Sequence, residues 1–216
     1  MKRLIIVCEG PTESEFCMEM LAPALLKSNI YVDAPLVKKS NGGIVPWPNI
    51  KRQIEMHLHE GNAYVSMLVD YYGIKDSYKF PGWTESKSIT SLKERWNFLC
   101  DCMKADIAPE LANRFIPYMQ IHEFESLLFS DITVFKDNFD KKEMDYSVLE
   151  DAIREFSNPE EINSRPTLAP SKRLINAIPG YDKVLYGNYI ASETGLAKIM
   201  DRCPLFNQWF STLMSI

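Results

Sequence analysis

The chain of 216 residues contains no apolar run approaching the roughly 18–20 residues of a membrane span. It has no C-x-x-C pair. Its five cysteines, Cys8, Cys17, Cys100, Cys102 and Cys203, are odd in number and scattered. That excludes a disulfide framework or a zinc ribbon and leaves free buried thiols. No G-x-x-x-x-G-K-[ST] phosphate loop occurs, so any ATP hydrolysis must come from another chain. There is no internal repeat and no low-complexity tract. Lys2 and Arg3 precede an apolar run that stops at Glu9, too short for a signal peptide, and a cytoplasmic protein is expected.

Positive charge is also scarce. The net charge of −5 argues against a broad non-specific grip on nucleic acid. The charge is uneven, however. From Arg165 onward there are six basic and three acidic residues, against 18 basic and 26 acidic before it. An acidic face beside a weakly basic C-terminal region suits a phosphodiester substrate. Solvated surface charge accounts for the same counts.

What is present is an ordinary globular composition, 46% hydrophobic and 25% charged, long enough for a sizeable core. The opening stretch carries the most information. Leu4-Ile5-Ile6-Val7 reads as a buried strand. It runs into Cys8-Glu9-Gly10-Pro11-Thr12-Glu13. Gly10 permits a sharp turn, Pro11 suits the first helical position, and Glu13 is placed to cap free N–H groups. Phe16, Met20, Leu21, Ala24 and Leu25 give the following helix an apolar stripe. Glu9 therefore sits at the carboxyl end of a strand, where ligands bind in open α/β sheets.

The same alternation continues. Strands are predicted over 30–37, 63–70 and 114–121, with helices over 47–59 and 86–103. A loop is expected at Ser40-Asn41-Gly42-Gly43. Strands separated by crossovers predict a parallel α/β sheet of about four strands flanked by helices. Three of the strands lead into acidic residues: Glu9, Asp70, and Glu123 with Glu125. Beyond Asp131 the segments are short, helical and punctuated by Pro159, Pro166, Pro170, Pro179 and Pro204. This divides the chain into an α/β domain over 1–131 and a helical extension over 132–216. Phe206, Trp209, Phe210 and Leu213 read as core of that extension or as a docking surface, and the four tryptophans as packing residues.

Mg²⁺ or Mn²⁺ takes carboxylate oxygens, waters and substrate phosphate oxygens. Glu9, Asp70, Glu123 and Glu125 supply such a set, with Glu13 available for a water or a second ion. Two ions about 3.5–4 Å apart activate water and stabilise a leaving oxygen. Lys172 is a candidate to offset charge on the phosphoryl group, with Arg173 beside it. Glu123 and Glu125 share a face only where His122–Glu125 is extended.

With these residues in view, the chain resembles the TOPRIM fold, the metal-binding domain of topoisomerases, primases and OLD-family nucleases. In particular it resembles an uncharacterised bacterial TOPRIM-like family. The resemblance rests on Val7–Glu13, on Asp70-Tyr71-Tyr72-Gly73, on His122-Glu123-Phe124-Glu125-Ser126-Leu127-Leu128-Phe129, and on Pro170-Ser171-Lys172-Arg173. It implies that Glu9 is acid/base or metal ligand, that Glu13 and Asp70 are metal ligands, and that Glu123 and Glu125 complete the metal sites. Lys172 matches a downstream lysine of the OLD-like nucleases. Tyr72 departs from the pattern, standing where those enzymes carry a second aspartate. The implied function is a metal-dependent nuclease working beside an ABC- or SMC-type ATPase in bacterial defence. The alternative is a regulatory TOPRIM-like subunit that docks on such an ATPase without cutting.

Overall fold

The computed structural model describes residues 1–38, 43–140, 142, 144–156, 158–162 and 166–216. The loop predicted at Ser40-Asn41-Gly42 lies outside the described residues. The fold is α/β, with a four-stranded parallel sheet in the order β2-β1-β3-β4. The chain divides into two compact units, Met1–Met119 with Trp209–Ile216, and Gln120–Gln208.

In unit 1, β1 (Lys2–Cys8) is the centre of the sheet. It pairs with β2 (Ile30–Asp33) from Lys2↔Ile30 to Ile5↔Asp33 and with β3 (Tyr64–Leu68) from Leu4↔Tyr64 to Cys8↔Leu68. Leu4 through Cys8 are all buried. Successive side chains point to opposite faces, so both faces of β1 are covered. Helix α1 (Pro11–Phe16) starts as the sequence predicts: Pro11 occupies its first turn and Glu13 Oε2 accepts from Gly10 N at 2.9 Å. A π-helical turn, Cys17–Leu21, carries it into α2 (Ala22–Leu26). Phe16, Leu21 and Leu25 fill the space under the sheet. Burial pushes the Cys8 thiol well up from its ordinary pKa.

Helix α3 (Trp47–Leu58) buries Trp47, Ile50, Ile54 and Leu58, the predicted stripe. Four predicted elements are shorter than expected, β3 among them, which ends at Leu68 and not at Asp70. Strand β2 ends at Asp33, and only a single bridge, Cys8↔Leu36, continues it past Pro35. The helix predicted from Ser86 is two: α4 (Trp83–Ser86) and α5 (Leu92–Ala105), the latter begun by Ser91, whose hydroxyl accepts from Glu94 N. Strand β4 is only Phe115–Ile116, because Pro117 has no N–H to extend the ladder. The core of this unit includes a stack of Tyr118 on Trp209, ring centroids 4.2 Å apart. Trp209 Nε1 donates to Ser66 Oγ at 2.9 Å, and Ser66 Oγ donates to Ile116 O at 2.6 Å.

Unit 2 is helical. A seven-residue 3₁₀ segment, Phe124–Ser130, is buried throughout. Against it pack α8 (Pro170–Ala177), α9 (Lys183–Thr194), α10 (Leu196–Arg202) and the turn Pro159–Glu161, while α6 (Ile132–Asn138) packs on α7 (Tyr146–Glu155) and α9, and α7 on α8; α11 (Pro204–Met214) begins in this unit. Glu160 is fully buried on the 3₁₀ turn Pro159–Glu161. Its Oε2 accepts from Leu205 N at 2.8 Å and its Oε1 from Phe206 N at 2.9 Å, so one carboxyl group caps α11. Burial outweighs these two bonds and lifts its pKa to about 7, and the charge of Glu161 adds to the rise.

Two stability measurements follow. Gly82 has φ +70°, and a Cβ there would lie 2.7 Å from Cys102 Sγ and 2.8 Å from Phe98 Cε1. Gly82→Ala is expected to lower stability by about 2–4 kcal/mol in denaturant titration. For Glu160, the folded pKa exceeds the ordinary 4.5, so its stabilising protonation is complete below pH 4.5 and lost as pH rises through about 7. The change is on the order of 3 kcal/mol. Thermal melts between pH 5 and pH 8, taken at the ends of roughly that window, should show wild-type stability falling with pH and Glu160→Gln flattening the fall.

Candidate functional site

The carboxyl edge of the sheet in unit 1 holds three of the predicted residues. Glu9 follows β1 directly, and its own N–H donates to Leu68 O at 3.0 Å, which continues the parallel ladder one step past the strand. Asp70 follows β3, the adjacent strand. Glu9 Oε2 accepts from Asp70 N at 2.9 Å. A side chain from one strand end thus fixes the backbone at the next, and both residues are held at the same level of the edge. Asp70 is 5% exposed and Glu9 is half-buried. Glu13 is 2% exposed and turned back onto Gly10 N, so the helix cap expected from sequence accounts for one of its oxygens.

Glu123, Glu125, Lys172 and Arg173 belong to unit 2. His122 takes a left-handed φ of 65°, which turns the chain after β4 rather than extending it. Glu123 is extended, but Glu125 is inside the 3₁₀ segment, so the two carboxylates do not alternate along one strand face. Glu123 Oε2 accepts from Ser171 N at 2.9 Å, at the second residue of α8. A carboxylate there satisfies an N–H that the helix cannot, and the helix dipole favours it. Glu125 is fully buried, with Lys183 Nζ 3.4 Å from its Oε2. Lys172 is exposed on α8. Arg173, expected at the substrate, is 5% exposed instead. Its Nε donates to Leu168 O at 2.8 Å, one Nη lies 3.5 Å from Glu155, and the guanidinium sits 5.9 Å from the Phe156 ring. Its work is to hold the N-terminal turn of α8 to the preceding segment.

Two residues of this neighbourhood escaped the sequence reading. Lys183 opens α9 beside Glu125. The Tyr181 hydroxyl is buried without a hydrogen-bond partner among the described residues. Burial raises its pKa, and the charges of Glu125 and Glu123 raise it further, so these carboxylates and the phenol share one field. The only local signal is the turn Pro179-Gly180 and the cap Asp182, whose Oδ1 accepts from Leu185 N at 2.8 Å. Those fix where α9 begins, and nothing in the spacing says which carboxylate it meets.

The donors on the unit 1 edge are carboxylate oxygens, the type a hard divalent cation selects. Mg²⁺ commonly takes one or two protein carboxylates and completes its shell with water and phosphate, a demand that Glu9 and Asp70 fit. Among the described residues, no three His, Cys, Asp or Glu side chains gather into a ready-made ligand cage.

No curated protein matches the chain, and no solved structure does. One family model matches residues 8–214, nearly the whole sequence, and the chain belongs to that family, described as a domain of unknown function, DUF4276.

Proposed function

We propose that this protein is a metal-dependent phosphodiesterase of the TOPRIM type that cuts nucleic acid, using Mg²⁺ or Mn²⁺. The observation that carries this reading is the pairing of Glu9 with Asp70 N across adjacent ends of a parallel sheet. It sets two carboxylate residues side by side at the edge where such sheets bind ligands. Glu9, Asp70 and, one helical turn away, Glu13 would hold the cation; Glu123 and Glu125 are assigned to the same role by resemblance. When bound, the cation would polarise the phosphodiester and lower the pKa of a water.

The chain's own residues supply the rest. Glu9 is fixed through its backbone and through one oxygen, so its carboxylate is oriented before substrate arrives, which is what proton transfer requires. Lys172 would neutralise charge developing on the phosphoryl oxygens. By resemblance, an ATPase partner of ABC or SMC type is proposed, and since the sequence has no phosphate loop, ATP hydrolysis would belong to that partner; the protein is proposed to act in the cytoplasm as part of a defence system. Among the described residues, no helix is long and apolar enough to cross a membrane.

A second reading, a non-cutting subunit that regulates such an ATPase, has its own support. Tyr72 replaces a carboxylate in the matching motif, and Glu123 caps a helix.

The deciding assay is cleavage of supercoiled plasmid, single-stranded DNA and RNA with Mg²⁺, Mn²⁺ or EDTA. Wild type is expected to cut with either cation and not in EDTA. Glu9→Gln retains an acceptor for Asp70 N, so the fold should persist while cutting falls by roughly 10²–10⁴-fold. Lys172→Ala should lower kcat by about 10²–10³-fold. Undiminished cutting by Glu9→Gln would refute the assignment. No cutting by wild type under any of these conditions would favour the regulatory reading.

A further inference from the structure

The carboxyl edge of unit 1 carries more than carboxylates. The strand order β2-β1-β3 places three chain exits side by side, successive strands being about 5 Å apart. The exit from β2 is held level with β1: Cys8 N donates to Pro35 O at 2.9 Å and Val37 N to Cys8 O at 2.8 Å. The next residue is Lys38. The amide of Gln53 clamps its backbone, accepting from Lys38 N at 2.8 Å and donating to Leu36 O at 3.0 Å. Lys38 borders a hollow of about 330 Å³ whose other walls are Asn49, Arg52, Gln53 and Met56 of α3, and its Nζ lies 3.7 Å from Met56 Sδ.

The opposite flank is aromatic. Past Asp70, the ring of Tyr71 packs on Trp83 with centroids 4.8 Å apart. Tyr72 is 41% exposed. Lys75 Nζ then lies 5.8 Å from the centroid of the Tyr78 ring, and exposed Lys79 follows. This loop is pinned: Asp76 Oδ1 accepts from Trp83 Nε1 at 2.9 Å and from Lys87 Nζ at 2.5 Å. The chain leaving β3 thus carries an exposed tyrosine two residues past Asp70 and exposed lysines three and seven residues further on, the residue types that an unpaired base and its phosphates require. Rings stack on any base, and lysines follow the backbone. A base inside a duplex is already covered on both faces and offers only its edges.

We propose that the carboxyl edge of unit 1 binds single-stranded nucleic acid, with a base stacked on Tyr72 and phosphates met by Lys38 on one flank and by Lys75 and Lys79 on the other. The proposal rests on the phosphodiesterase reading for its substrate class and adds the strand form and the residue that selects it. Tyr72 is a binding residue in this scheme, not a catalytic one.

The test is fluorescence anisotropy with labelled oligo(dT), oligo(U) and a duplex, each of about 20 nucleotides or base pairs. It uses the full chain carrying Glu9→Gln, in Mg²⁺, so that a competent nuclease leaves the probe whole. Single strands are expected to bind more tightly than duplex. Adding Tyr72→Ala should weaken single-strand binding by roughly 5- to 150-fold, and Tyr72→Phe, which keeps the ring, should restore it. Lys75→Ala and Lys79→Ala should each flatten the salt dependence. Equal binding of duplex and single strand, an unaltered Kd in Tyr72→Ala, or no binding up to about 10⁻⁴ M protein would overturn the proposal. Cleavage by wild type is read separately on the same oligonucleotides. Tyr72-dependent binding without cleavage upholds this site and sinks the phosphodiesterase reading; cleavage without any Tyr72 dependence does the reverse.

Discussion

Strand β1 is the constraint on which unit 1 depends. It pairs with β3 from Leu4 to Cys8 and with β2 from Lys2 to Ile5, and its residues from Leu4 to Cys8 are buried on both faces. A fully buried aliphatic side chain contributes about 1.5–3 kcal/mol, and β1 has four in succession. Because the pairing is parallel, β1 and β3 run together to Cys8↔Leu68 and leave the sheet at one edge. The ladder continues through Glu9 N to Leu68 O, and that extra bond makes the position of Glu9 a property of the sheet, not of a loop. Its carboxylate then closes the edge by taking the N–H of Asp70, a donor that the short strand β3 leaves over.

The parts legible in the sequence are those decided locally. Gly10, Pro11 and Glu13 carry their own geometry, and the cap forms as the residues predict. Helix α3 is legible because one face is buried and the other wet. The 3₁₀ segment Phe124–Ser130 was not, because it is buried all round and has no period to read. The turn at His122 was hidden for a different reason: a left-handed histidine leaves no compositional mark, so the acidic residues after it looked like a strand end. Strand β4 is cut short by Pro117, a signal that was present but outweighed by the apolar residues around it. The partners of Glu125 could not be read at all. Lys183 reaches it through the packing of α9 against the 3₁₀ segment, and sequence spacing carries no trace of that contact.

In unit 2, two carboxylates, one buried and one half-buried, share a role that their chemistry explains. Glu160 caps α11 and Glu123 caps α8, each accepting backbone N–H groups at a helix start. Such groups must be satisfied, and a charged acceptor does so most strongly. Arg173 plays the complementary part, giving its Nε–H to a carbonyl just before α8. A unit made of short helices has many ends, and it needs acidic and basic side chains inside it to finish them. That is why acidic residues here divide into two sorts that the sequence does not separate: those that end helices and those open to other work. Glu160 belongs to the first sort, and its pKa near 7 reflects a cap placed where burial disfavours the charge that caps best.

Tyr72 joins the electrostatics of the sheet edge to the proposed choice of substrate. In the proposed enzyme, a carboxylate at that position would stand two residues from Asp70 and add a fourth acidic residue to an edge that already carries Glu9, Glu13 and Asp70. Like charges at such separations repel, and the repulsion is relieved only by a second cation. A tyrosine removes both the charge and that need. In the proposed scheme it leaves Glu9, Asp70 and Glu13 for the cation and adds an exposed ring two residues past Asp70, on which a base would lie. In the proposed enzyme, the loss of a ligand for a second ion and the gain of a stacking surface are one substitution, so metal stoichiometry and preference for unpaired nucleic acid are linked through a single side chain.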